Sequence, residues 1–222
     1  MTLTRLSEIL ATTITAVAFA GSALAATVSP TETLPADLRL GTVESASARL
    51  YAENTSVAVA SQSVVVDFLA SGLTPGTVNN GRSNPGAGMY LGAGVYDSFL
   101  IHFDPDGGGT TSGAFTFASN IVAIILSNGN SAANQANGRL NLSDAYFGGS
   151  GTTYEDHYGR RTESNDTFTL VSANQISFNL TTNATHIDNI RVLTEVAPVP
   201  LPAGALLLLT GFGGLALMRR RG

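Results

Sequence analysis

The chain of 222 residues contains no cysteine, no tryptophan and no lysine, and only three histidines. Without cysteine there is no thiol catalysis and no disulfide staple, so stability has to come from packing or from bound ions. Without lysine, all 11 basic residues are arginine, and they face 16 acids. Setting aside Arg5 and Glu8 near the start and three arginines at the end leaves seven arginines against 15 acids, a net charge near −8. That sign argues against nucleic acid, whose binding depends on neutralising phosphates. It suits divalent cations and solubility outside the cell. The missing tryptophan counts against a sugar-processing cleft, because sugar faces stack on large aromatic rings. Tyr90, Tyr154 and Tyr158 substitute for it only in part. His102, His157 and His186 are far apart and stand in no zinc-binding spacing. By strand phase His102 faces outward and His186 begins a strand, so both are expected at the surface or rim.

What is present begins with the two ends. Met1–Ala25 has Arg5 near its start, an apolar stretch from Ile9 to Phe19, and Ala23-Leu24-Ala25 as a small-residue cleavage site. This is the pattern of a secretory signal peptide cut after Ala25. At the other end, Leu201–Met218 is an uncharged run of 18 residues. At 1.5 Å rise per residue it is just long enough to cross the hydrocarbon core of a bilayer. Arg219, Arg220 and Arg221 close the run, and clustered arginine holds its end of a membrane helix on the cytoplasmic side. Two prolines stand immediately before it, in Val199-Pro200-Leu201-Pro202-Ala203.

The order of short motif, spanning helix and basic stop resembles the PEP-CTERM class of bacterial sorting tails. Val199, Pro200, Leu201, Pro202 and Ala203 match its VPLPA variety residue for residue. The resemblance covers about a tenth of the chain. It implies an exosortase-type membrane transpeptidase as partner, transient residence in the inner membrane, and delivery to the cell surface or extracellular matrix. The segments Asp97–Pro105 and Asp188–Val192 are also similar to stretches of other PEP-CTERM passengers, a resemblance that brings no activity with it.

Between the ends, residues 26–194 make one domain, followed by a short linker at 195–198 and the tail at 199–222. Charged residues are only 12% of the chain, while Gly, Ser, Thr and Asn are abundant. The apolar periodicity is mostly two: Val64, Val66 and Phe68; Phe99, Ile101 and Phe103; Phe115 and Phe117; Phe168 and Leu170; Ile176, Phe178 and Leu180; Ile190 and Val192 opposite Arg191. Such alternation marks strands buried on one face, as in antiparallel sheets. Ile121–Leu126 is apolar throughout and reads as a central strand covered on both faces. Turn signals separate these runs, among them Thr74-Pro75-Gly76, Asn79-Asn80-Gly81, Asp106-Gly107 and Asn128-Gly129. Helix is expected only at Ser131–Asn137 and Ser143–Phe147. About eight to ten strands in one domain predict an all-β, antiparallel β-sandwich of jelly-roll-like topology.

Candidate chemistry is sparse. Gly148-Gly149-Ser150-Gly151-Thr152 lacks the last glycine of a nucleophile elbow. In Asp104-Pro105-Asp106-Gly107, two carboxylates one residue apart precede a glycine, as at the opening of a calcium loop, but no closing glutamate follows. Asp104 and Asp106 are therefore weak calcium candidates beside the simpler reading of a turn between strands. Two long loops, Ser71–Gly94 and Gly148–Asp166, are the places where binding would reside; the second carries the densest charge, from Tyr154 to Arg161. The expectation is a non-enzymatic structural or adhesive component of a bacterial matrix, with exopolysaccharide as a possible neighbour and no cofactor. A carbohydrate- or calcium-dependent binding module is the alternative, and a secreted hydrolase comes after it, because 15 acids always offer some facing pair.

Overall fold

A computed structural model describes residues 28–81, 89–126, 138–156 and 159–196. The expected signal peptide with Ala23 and Ala25, the motif Val199–Ala203, the run to Met218 and Arg219–Arg221 lie outside the described residues. So do the helix expected at Ser131–Asn137, the turn at Asn128-Gly129, and His157 and Tyr158. Among the described residues no helix is long and apolar enough to cross a membrane.

The described elements are β1 (Asp37–Leu38), β2 (Arg49–Val59), β3 (Val65–Val66), β4 (Phe68–Leu69), β5 (Val78–Asn80), β6 (Met89–Tyr90) and β7 (Gly94–Phe103). They continue with β8 (Gly108–Thr116), β9 (Ile121–Leu126), α1 (Arg139–Phe147), β10 (Thr153–Tyr154), β11 (Thr167–Ser172), β12 (Gln175–Asn183) and β13 (Asp188–Glu195). Two antiparallel sheets dominate, one of four strands in the order β5-β11-β12-β8 and one of five in the order β2-β7-β13-β9-β4. The chain is thus all-β with one short helix.

Their facing sides share one core. Ile101, Phe103, Ile124, Leu126, Ile190 and Val192 of the larger sheet pack against Phe168, Leu170, Ile176, Phe178 and Leu180 of the smaller one. Phe68 meets Phe168 edge-on across the gap, with ring centroids 5.0 Å apart at 72°. Of the apolar positions that the period-two pattern names, all but Val64 and Val66 belong to this cluster, with Phe99 and Phe115 only partly buried against it; Val64 and Val66 lie in a second cluster. Burying a phenylalanine of this kind contributes roughly 2–3 kcal/mol, which makes these strands face inward whatever their local propensity. Opposite Phe178 in the β12–β8 register stands Gly113, where an added Cβ would come within 3.0 Å of the Phe178 ring. The glycine leaves room for the ring to lie across β8.

The larger sheet is covered on its other face too, which the alternation does not reveal. Leu193, Ile125 and Ala123 pack under α1, which presents Leu140, Ser143 and Phe147 to them. Leu100 and Tyr51 pack under Leu38, with Leu34, Val43 and Tyr154 alongside. β9 is accordingly apolar on both faces, as its sequence indicates, with five of its six residues buried. The helix begins one turn before the expected Ser143, at Arg139, because its apolar face is sparse and comes from tertiary contact rather than from a strong period.

Candidate functional site

The covered outer face overturns two expectations. Arg191, on the phase opposite Ile190 and Val192, is fully buried rather than solvated, and so is His102. Each sits on a strand whose second face is roofed by α1 or by the chain from Leu34 to Val43, so an outward phase leads into a second core. His102 Nδ1 lies 2.9 Å from Asn189 Oδ1 and its ring packs beside Tyr51. Burial holds its pKa down at about 4, with Arg49 adding to the effect and the Asn189 contact opposing it. His186 is nearly buried as well, in the turn before β13. Its Nδ1 is 2.7 Å from Thr185 Oγ1 and 2.9 Å from Asn183 Oδ1.

Arg191 organises a buried polar network. Its Nε and Nη2 donate to the two oxygens of Glu53, each at 2.6 Å, in the planar fork geometry that arginine and carboxylate share. Nη2 also donates to Asp144 Oδ1 at 2.7 Å, and Nη1 donates to the Leu140 carbonyl at 3.1 Å and to Ser143 Oγ. Glu53 further accepts from Ser98 Oγ and from the Tyr154 hydroxyl, both at 2.8 Å. Burial works against the Arg191 charge, yet the Glu53 and Asp144 carboxylates outweigh it and raise the pKa. Arg160 pairs with the other oxygen of Asp144 and stacks 5.0 Å over the Tyr154 ring. For Arg160 burial prevails over Asp144 and the pKa is lowered. The charged loop Gly148–Asp166 is therefore, in large part, the material that joins α1 and β10 to the sheet. Within this network Arg191 and Arg160 share the carboxylates of Glu53 and Asp144, and only Arg160 Nη1 among their guanidinium nitrogens is left buried without a partner.

The turn at Asp104–Gly107 is built as a turn. Gly107 and Gly108 have φ of +72° and +94°, and a Cβ at Gly108 would meet Asn183 Cα at 2.8 Å. Asp104 is buried, its Oδ2 accepting from the Gly41 amide at 2.8 Å and its carbonyl from the Ser45 amide at 2.7 Å. Asp106 lines a cavity of about 410 Å³ with Glu44, Phe103 and Thr110. The two aspartates serve different sides of the turn.

The carboxylates that do converge are Glu163, Asp166 and Asp188, which offer oxygens within 4.8 Å of one another. Glu163 and Asp166 close the long loop into β11, and Asp188 opens β13 on the facing sheet. Asp166 is fixed in place: Oδ1 accepts from the Thr181 amide at 2.7 Å, Oδ2 from the Glu163 amide, and its carbonyl from the Gly81 amide at 2.7 Å. Glu163 Oε1 accepts from Arg161 Nε at 2.9 Å. Glu163 Oε2 and both oxygens of Asp188 are buried and accept no hydrogen bond. Burial pushes the Asp166 carboxyl up to about 6, with the Glu163 charge adding to it. The Asp188 carboxyl is raised well above the usual range by burial and then by the Asp166 and Glu163 charges.

Comparison of the chain with protein-family models, with curated proteins and with solved structures found no match. The geometry therefore stands alone. Reading the sequence picked Asp104 and Asp106 because they are adjacent, and missed Glu163, Asp166 and Asp188 because β11 and β12 intervene between the second and the third.

Proposed function

We propose that the chain is an exported, surface-sorted protein that serves as a structural or adhesive component of a bacterial extracellular matrix. Its C-terminal segment is handled by an exosortase-type transpeptidase, and its passenger is a jelly-roll-like sandwich without enzymatic activity. The observation that carries this reading is the ordered set Val199–Ala203, the uncharged Leu201–Met218 and Arg219–Arg221, behind an export signal ending at Ala25. The charge balance supports it, since an acidic, lysine-free surface remains soluble outside the cell and does not gather nucleic acid. The buried arginine network supports it too: in a domain without disulfides, Arg191, Arg160, Glu53 and Asp144 are engaged in holding α1 and the long loop in place. A calcium-dependent binding module is the second reading, favoured by the carboxylates of Glu163, Asp166 and Asp188.

Proline at 200 and 202 keeps the motif extended at the outer face of the bilayer, because it has no amide hydrogen for a helix. Changing both to alanine leaves insertion intact and blocks processing. The measurement is the mass of the protein in its host and its distribution between membrane and matrix fractions. A full-length chain that stays in the inner membrane, whether or not the prolines are present, would make the segment a plain anchor and refute sorting.

A further inference from the structure

Asp188 is the least explained side chain in the described residues. It is a carboxylate with no exposed surface, neither oxygen has a hydrogen-bond donor, and two more carboxylates offer oxygens within 4.8 Å of its own. Burying an unpaired charge costs several kcal/mol, so a group in this position either keeps a proton or meets a cation. Arg161 Nε donates to Glu163 Oε1 on the partly exposed side of the cluster, while Glu163 Oε2 and both oxygens of Asp188 accept no hydrogen bond.

We propose that Glu163, Asp166 and Asp188 form a calcium site that ties the loop before β11 to the start of β13. Calcium takes oxygen ligands at 2.3–2.6 Å, so two ligands of one ion lie no more than about 5 Å apart, and these carboxylates converge within 4.8 Å of one another. Asp188 supplies two oxygens committed to nothing else and Glu163 supplies one. Asp166 is pre-positioned by the amides of Thr181 and Glu163 and keeps a second lone pair on each oxygen. Water on the Glu163 side completes the shell, because that side chain retains 21% of its exposure. The three residues come from two parts of the fold: Glu163 and Asp166 from the end of the loop before β11, and Asp188 from the start of β13. An ion here crosslinks the two sheets at one end, as a disulfide would in another exported domain. Glu163 and Asp166 sit three residues apart in a turn and Asp188 arrives from the return of β12, so the site exists only in the folded chain.

The choice of calcium over other hard cations rests on the exported reading, since extracellular modules typically bind calcium at 10⁻⁴–10⁻³ M. The existence of the site does not rest on it. The test is thermal unfolding and calorimetric titration of the full-length chain in mild detergent, with EGTA, with Ca²⁺ and separately with Mg²⁺. At a hundredfold excess of Ca²⁺ over Kd the wild type should gain on the order of 5–10 °C in Tm, with one ion bound per chain. Asp188→Asn should abolish the gain, and Asp106→Ala should keep it in full. In EGTA, Asp188→Asn should melt no lower than wild type, because it removes a buried charge rather than a ligand in use. Should that variant fail to fold, Glu163→Gln, at the partly exposed edge, should still weaken Ca²⁺ binding at least tenfold. A wild type whose Tm ignores 10 mM Ca²⁺, or a gain that survives Asp188→Asn or Glu163→Gln, would overturn the site. Binding of Mg²⁺ without Ca²⁺ would overturn the choice of calcium and count against the exported reading. Calcium binding by a chain found unsorted in its host would leave the site standing and refute sorting alone.

Discussion

Replacing Arg191 by methionine is the sharpest probe of how this disulfide-free domain is held together. The guanidinium is fully buried and makes two 2.6 Å bonds to Glu53, one of 2.7 Å to Asp144 and one of 3.1 Å to the Leu140 carbonyl. Methionine fills most of the space but leaves the Glu53 carboxylate, itself with no exposed side-chain area, without its counter-charge. Ser98 and Tyr154 still donate to Glu53, and Asp144 keeps Arg160, so the damage centres on one stranded anion. Removing one partner of a buried pair costs about 3–5 kcal/mol, and with these surviving donors we expect about 4. For a domain of this size that lowers Tm by about 8–16 °C. Glu53→Gln added to Arg191→Met removes the stranded charge while keeping an acceptor for Tyr154, and should recover at least half of the loss. The assay is urea unfolding followed by circular dichroism and tyrosine fluorescence, since the chain has no tryptophan. A single-mutant cost below about 1 kcal/mol, or a double mutant no better than the single, would refute the idea that Arg191 and Glu53 are energetically a pair.

Two further outcomes follow from the core and from His102. Phe168→Ala, which empties the space between Phe68 on one sheet and Phe178 on its own, should cost about 3–5 kcal/mol; a loss under 1 kcal/mol would mean that the sheets do not meet there. His102 has its pKa held down at about 4 against 6.5 when exposed, so its contribution is complete above pH 6.5 and is lost as the pH falls toward 4, when the unfolded chain takes the proton first. The loss approaches about 3 kcal/mol at pH 4. Asp166 and Asp188, whose carboxyl pKa values are raised, push stability in the opposite direction with pH. The measurement is therefore the difference in urea midpoint between wild type and His102→Gln at pH 7 and pH 4.5, and an equal difference at both would refute a buried neutral imidazole.

Local chemistry alone determined a good part of this protein. Alternation in Phe99–Phe103, Phe168–Leu170 and Ile176–Leu180 named the strands and the shared core, because a residue's side of a strand depends only on its position in a two-residue repeat. Ile121–Leu126 announced its double burial because both of its phases are apolar. Asp106-Gly107 announced a turn because glycine accepts a positive φ. The proposed export and sorting rest on linear features, Ala23-Leu24-Ala25 and Val199–Arg221, which are by nature a matter of sequence alone. What only the tertiary structure decided is what covers the second face of β7 and β13. A polar residue on an outward phase is solvated unless chain from elsewhere lies over it. Here α1 and the chain around Leu34–Val43 do so, turning His102 and Arg191 into buried groups that require partners. The same reason hid Glu163, Asp166 and Asp188. Their proximity is produced by the β11–β12 hairpin and the crossing into β13, and no spacing along the chain encodes where a strand pair returns.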